Sequence, residues 1–315
     1  MQTGRRSSKL GSWKRPNGSV FDAKADAVFC GVARHRWRGN LGKIPPRQSS
    51  SVLHRTIHQS KHTMAGQKVI ILTGASRGIG LAIAHYLLKA SHKVVVVARS
   101  EGPLKELDSQ YPGQVGVLSG DLADFSLGQK AIDLAQSKFN QLDGVIVNHG
   151  VLDPVQRIAN ATAEAWRSAF DVNLFSAVAM TQAALPALRK TKGTILFTSS
   201  GASTNGYSSW GAYGASKAAL NHLAMTLGNE EKDVTTVSVR PGVVDTEMQK
   251  DLREKHNTVM DEKDAAKFAE LKNTGGLLRP EQPGHVMAKL VLDTPKELSG
   301  KFLTWNAAEL AAFQE

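Results

Sequence analysis

Tyr213 and Lys217 stand four residues apart, the spacing that puts two side chains on one face of a helix. A phenol titrates at about 10 and is a poor acid or base at neutral pH. A neighbouring ammonium favours the phenolate and lowers that value. Such a tyrosine can give a proton to a carbonyl oxygen while hydride arrives at the carbon. Ser200 lies 13 residues upstream of Tyr213. Its hydroxyl can bond the same oxygen and hold the carbonyl for attack. Taken singly, Tyr213 also reads as a helix residue packed on a sheet, and Ser200 as a cap.

A second cluster sits near residue 75. Thr73-Gly74-Ala75-Ser76-Arg77-Gly78-Ile79-Gly80 follows a short apolar run and precedes a helical pattern. Glycines let backbone turn tightly and approach a pyrophosphate, and the helix start offers free N–H groups. The spacing is G-x-x-x-G-x-G rather than G-x-G-x-x-G, so a plain strand–helix turn is the competing reading. An NAD site carries an acid about 20 residues on, bonded to the ribose 2′-hydroxyl. Here the second strand ends in Ala98-Arg99-Ser100, without an acid. Arg77 and Arg99 can instead hold a 2′-phosphate, which favours NADP. A surface pair with Glu101 is the plain alternative for Arg99, and a solvated loop position for Arg77. Asp121 follows the third strand; it can accept from the adenine amine or cap the next helix.

These residues need a scaffold. Short apolar, β-branched runs fall at 69–72, 94–97, 115–118, 145–147, 194–198 and 235–239. Helical patterns fall between them, at 79–88, 103–110, 126–139, 163–189 and 211–231. Strands alternating with helices predict an α/β fold, a doubly wound parallel sheet of the Rossmann type. Residues 302–305 would add an edge strand. The stretch 64–315 is expected to be one such domain.

The 315-residue chain carries 39 Lys+Arg and 28 Asp+Glu, a net charge of +11. Of these, 13 and 2 lie in 1–63, which leaves 26 of each beyond it. Attraction to polyanions would therefore belong to the tail, and nucleic-acid binding by the folded domain is not expected. Residues 1–63 lack a sustained period of 2 or 3.6 and read as a disordered basic extension. A transit peptide, a nucleic-acid-binding arm and a misplaced start compete for it; Met64 opens a natural first strand. With one cysteine, Cys30, no intramolecular disulfide or cysteine zinc site is possible. No apolar run nears 18 residues, so no transmembrane helix is expected. The cytoplasm is the favoured location, with mitochondria the alternative if 1–63 is a transit peptide.

Read together, the motifs at 73–80, Asn148-His149-Gly150, Asn173, Ser200, Tyr213–Lys217 and Pro241–Thr246 resemble the short-chain dehydrogenase/reductase family. They stand in family order over 68–305. The resemblance implies NADP(H) as cofactor, no metal, and a catalytic set of Asn173, Ser200, Tyr213 and Lys217. It implies that Asn173 holds a water linking the lysine to solvent. Gly74, Ser76, Arg77, Gly78, Ile79, Gly80, Arg99, Asp121, Asn148, Gly150, Tyr213 and Lys217 would line the cofactor. Pro241, Gly242, Val244 and Thr246 would meet its nicotinamide end. The family pattern is Asn-Asn-Ala-Gly or Asn-Ala-Gly where this chain reads Asn-His-Gly, and His149 is expected to pack beside the cofactor rather than act as a base. Residues 247–276 occupy the substrate-lid position. Tyr207 and Trp210 either line the pocket or sit in the core.

Within the family, 98–104, 208–222, 229–231 and 241–249 look most like the sepiapterin reductase-like group, which includes benzil reductases forming (S)-benzoin. Thr304 stands where sepiapterin reductases carry an aspartate, which argues against a pterin. The expectation is an NADPH-dependent reductase of a ketone or diketone, as a homodimer or homotetramer. A non-catalytic NADP-sensing protein and a pterin reductase are the alternatives.

Overall fold

The structure, a computed structural model, describes residues 66–314. The reading of 1–63 as an extension lies outside them.

Seven strands form one parallel sheet: β1 Val69–Thr73, β2 Lys93–Ala98, β3 Val115–Ser119, β4 Gly144–Val147, β5 Thr194–Thr198, β6 Thr235–Arg240 and β7 Phe302–Thr304. Their order is β3-β2-β1-β4-β5-β6-β7. The sheet is covered on both faces, which is why its strands are apolar throughout rather than alternating. All five residues of β1 and of β5 are buried. Each fully buried Ile or Leu among them contributes about 1.5–3 kcal/mol.

Helices α1 (Gly78–Lys89), α2 (Glu101–Gln110), α3 (Ser126–Phe139), α4 (Ala163–Phe170), α5 (Ser176–Thr191), α6 (Gly211–Glu230), α7 (Glu247–Glu254), α8 (Glu262–Asn273) and α9 (Glu281–Leu292) complete the fold. One apolar layer joins α1, α2 and α9 to Ile70, Leu72, Val94 and Val237. The opposite layer joins α3, α5 and α6 to Ile71, Val95, Val145 and Phe197. A third, smaller cluster gathers Leu152, Trp210, Leu252 and Phe268 above the sheet.

Two differences from the sequence pattern matter. The single helix read over 163–189 is two helices joined by one π-helical turn, Asp171–Phe175, which carries Asn173. The helix α9 was not foreseen, because Pro283 and Gly284 look like breakers. Both lie in its first turn, where proline's missing N–H costs nothing. The close approach of Gly284 to Ala82 seats α9 on α1.

The chain reverses sheet direction between β1 and β4. In open parallel sheets the crevice at the carboxyl ends of such strands is where ligands bind.

Candidate active site

A cleft of about 590 Å³ opens at that switch point. Gly74 leaves β1 with φ 67°, and a Cβ there would stand 3.0 Å from the His149 Cα. A Cβ on Gly80 would fall on the Gly74 carbonyl oxygen, so both positions require glycine. Gly80 thus shapes the turn from behind, outside the cleft wall. The first turn of α1 starts at Gly78 with no side-chain cap, leaving its N–H groups facing the cleft. A bare cradle at a helix start suits a dinucleotide's pyrophosphate. The Asn148 amide holds the cradle by donating to the carbonyls of Thr73 and Gly74, both at 3.3 Å. Its oxygen accepts from the Thr198 hydroxyl at 3.1 Å, which ties β1, β4 and β5 together.

At the other end of the cradle, Arg77 and Arg99 are exposed and border the cleft. Neither makes a hydrogen bond or ion pair among the described residues. Glu101, the rival partner for Arg99, pairs with Lys105 at 3.1 Å. Asp121 also borders the cleft, and its Oδ1 accepts from the Ala123 N–H at 3.0 Å. It stabilises its own turn rather than capping α3, which begins at Ser126.

Ser200, Tyr213 and Lys217 all line the cleft. Ser200 follows β5, and its Oγ accepts from the Ala202 N–H at 3.1 Å in a 3₁₀ turn, Gly201–Ser203. Tyr213 and Lys217 lie on α6 and are buried. Lys217 Nζ donates to the Thr198 carbonyl at 2.8 Å and stands 5.8 Å from the Tyr213 ring centroid. Burial lowers the Lys217 ammonium to about 8. The Tyr213 phenol moves the other way from the expectation: burial raises it, and a hydrogen bond with Ser200 only opposes that rise. The sequence shows a neighbouring cation but not the loss of water around the ring.

Asn173 does not line the cleft. Its Oδ1 accepts from the Val151 N–H at 2.8 Å, and its Nδ2 donates to the Val151 carbonyl at 2.9 Å. Asn173 Oδ1 and Lys217 Nζ would each lie 3.2 Å from a Cβ on Gly150, so that glycine lets them converge. Pro241, Gly242, Val244 and Thr246 line the same cleft as Ser76, Gly78 and Ile79, and a Cβ on Gly78 would stand 3.1 Å from the Thr246 methyl. Thr246 Oγ1 caps α7 by accepting from Gln249 N–H at 3.4 Å.

The model of the family described as short chain dehydrogenase matches residues 68–257. The chain belongs to this family.

Benzil reductase ((S)-benzoin forming) IRC24 of Saccharomyces cerevisiae is 40% identical over 260 residues, 78% of this chain and 99% of that protein. The crystal structure of the short-chain dehydrogenase/reductase YIR035C from the same yeast is 41% identical, with a TM-score of 0.77 over 79% of this chain and all of that one. A further yeast structure, of a cytoplasmic protein with unknown function, is 40% identical with a TM-score of 0.68, over 79% of this chain and all of that one. Short-chain dehydrogenases are oxidoreductases that use a nicotinamide dinucleotide, and the Gly74–Gly80 cradle fits one. The sheet and cleft are thus those of a short-chain dehydrogenase.

His149 borders the cleft, yet both ring nitrogens are engaged. Nε2 lies 2.9 Å from the Val172 carbonyl, which only accepts, so Nε2 carries the proton. Nδ1 then accepts from the Thr73 hydroxyl at 2.7 Å. Burial, and next the Lys217 charge, depress His149 to about 4. It is a neutral tie between β1 and the π-turn that bears Asn173, not a base.

The far end of the cleft is aromatic. Trp210 stacks on Phe268 at 5.5 Å and 10°, lies 4.9 Å from Tyr207, and meets Tyr213 edge-on at 6.0 Å. Tyr207 and Trp210 therefore belong both to the cleft wall and to the third apolar cluster. Phe268, Leu152 and Leu252 share that wall and were not foreseen; Phe268 comes from α8, in the lid stretch. Arg240, at the end of β6, also borders the cleft. Its place just before Pro241-Gly242 was the signal that could have marked it.

Proposed function

We propose that this short-chain dehydrogenase is an NADPH-dependent reductase of aromatic ketones or diketones, acting on the carbonyl/CH–OH couple in the manner of a benzil reductase. The observation that carries the proposal is that Ser200, Tyr213 and Lys217 line one cleft together with the Gly74–Ile79 turn and the aromatic residues Tyr207, Trp210 and Phe268. Bound NADPH supplies the hydride. A substrate carbonyl oxygen placed between the two hydroxyls accepts a bond from Ser200 and the proton from Tyr213, giving the alcohol. Buried Tyr213 stays protonated at neutral pH and is ready as the acid. Lys217, held by the Thr198 carbonyl, keeps a cation beside the phenolate that remains. Asn173, fixed to Val151, stands beside Lys217 on the route by which the proton is replaced.

Arg77 and Arg99, which make no hydrogen bond or ion pair among the described residues, support NADPH over NADH, because only NADPH brings a 2′-phosphate. The aromatic wall supports an aryl substrate. The identity to a benzil reductase supports a dicarbonyl. Thr304 offers no carboxylate for a pterin. The 40% identity to a yeast protein described as cytoplasmic supports the cytoplasm as the place of reaction.

Consumption of NADPH by the purified protein with benzil, and of NADH under the same conditions, tests the reading. Turnover with NADPH and formation of benzoin are expected. Cofactor binding without turnover of any carbonyl compound would make the chain a sensor instead.

A further inference from the structure

Arg240 ends β6, and the guanidinium lies flat over Gly201, the residue after Ser200. A Cβ on Gly201 would meet Arg240 Cζ and Nε at 2.9 Å and Nη2 at 3.0 Å. Three coplanar atoms at one distance describe a group stacked face-on, and only glycine leaves room for it. Arg240 is partly buried and borders the cleft. Its side chain makes no hydrogen bond or ion pair among the described residues. The two acids on the cleft wall do not serve it: Asp121 is turned onto its own loop, and exposed Glu247 begins α7. Taking a cation partly out of water without a partner is unfavourable. A guanidinium so placed has planar N–H donors free for an oxygen acceptor.

The stacking holds those donors at the cleft beside the residue that follows Ser200. Ser200 is the residue that would bond the reacting carbonyl, Gly201 follows it in the chain, and Ser200, Gly201 and Arg240 all line the same cleft. The aromatic wall of Trp210, Phe268 and Tyr207 meets Tyr213 through the edge-on contact with Trp210. A substrate that bridges the two needs an aryl group at one end and an oxygen on the carbon next to the reacting carbonyl at the other.

We propose that Arg240 is the second anchor of the substrate, binding an oxygen on the carbon adjacent to the carbonyl that Tyr213 and Ser200 hold. The inference rests on the carbonyl-reductase reading and names its substrate class: aryl compounds with vicinal oxygens, either 1,2-diketones or 2-oxo acids. Arg240 forms no bond to the reacting atoms; it selects and orients.

The full chain with NADPH is assayed on three probes that share a phenyl ring: 1-phenyl-1,2-propanedione, phenylglyoxylate and propiophenone, the last without a second oxygen. Arg240→Met keeps an apolar stem over Gly201, and Arg240→Lys keeps the charge without the fork. The readout is kcat/KM on each oxygenated probe relative to propiophenone, with the thermal midpoint and NADPH affinity checked for each variant. In Arg240→Met this ratio should fall about 10- to 100-fold, chiefly through KM, and Arg240→Lys should recover part of it. A fall for the dione alone assigns the site to diketones, for phenylglyoxylate alone to oxo acids, and for both to the shared chemistry. An unchanged ratio, with all three probes falling together or none falling, overturns the anchor. Wild-type protein that reduces none of them overturns the carbonyl-reductase reading and the anchor with it.

Discussion

Tyr213 and Lys217, one turn apart on α6, are both buried, and burial moves their titrations in opposite directions. The phenol rises and the ammonium falls to about 8, because in each case the charged form loses water. The pair is therefore poised with a protonated acid beside a cation of near-physiological pKa.

Tyr213→Phe removes the proton donor and leaves the ring packed against Trp210. Turnover should drop about 10²- to 10⁴-fold, while NADPH affinity by fluorescence titration stays within a few-fold. Retention of most of kcat would remove Tyr213 from its role.

Carbonyl reduction should weaken as pH rises through about 8, following Lys217 rather than the phenol. The phenol, pushed upward, still holds its proton there. A pH profile of kcat/KM checks this. A flat profile to pH 9.5 or beyond would separate Lys217 from the reaction.

His149 should make the fold acid-sensitive. Its folded value of about 4 lies below the ordinary 6.5, so the neutral ring is the stable form in the native state. This contribution is complete above about pH 6.5 and is lost as pH falls toward 4, where only the unfolded chain takes up the proton. At about 1.4 kcal/mol per pH unit, the loss approaches about 3 kcal/mol. Denaturant titrations at pH 7 and 4.5 should show a smaller drop for His149→Asn than for wild type; equal drops would contradict the assignment.

Arg99→Ala should raise the KM for NADPH about tenfold or more and change that for NADH little, since Arg99 has no other partner among the described residues. Steady-state kinetics with both coenzymes decides it, and wild-type protein using NADH as well as NADPH would sink the arginine pair.

Phe268→Ala opens the aromatic wall. Lost stacking on Trp210 of about 0.5–1.5 kcal/mol corresponds to a KM for aryl substrates about 2- to 13-fold higher. Parallel assays with a small aliphatic ketone should show a lesser change. An equal change on both would place Phe268 in the core rather than at the substrate.

The strand runs, the Gly74–Gly80 turn and the Ser200, Tyr213 and Lys217 set were legible because each is a local pattern. Apolar runs mark strands buried on both faces, glycine spacing marks a turn, and i,i+4 spacing marks one helix face. The chain alone thus determined the sheet and the Gly-rich turn, and it marked Ser200, Tyr213 and Lys217, which the fold brings to one cleft. It did not show α9, whose Pro283 and Gly284 mimic a break until the first-turn position and the contact with Ala82 are known. Only the tertiary structure decided that Tyr213 titrates upward, that His149 is spent on Thr73 and Val172, and that Phe268 and Arg240 reach the cleft. Each of those depends on what residues distant in sequence bring alongside: lost water in two cases, and a facing ring or a facing glycine in the others. Desolvation and contact are properties of the packed chain, and no spacing along it encodes them.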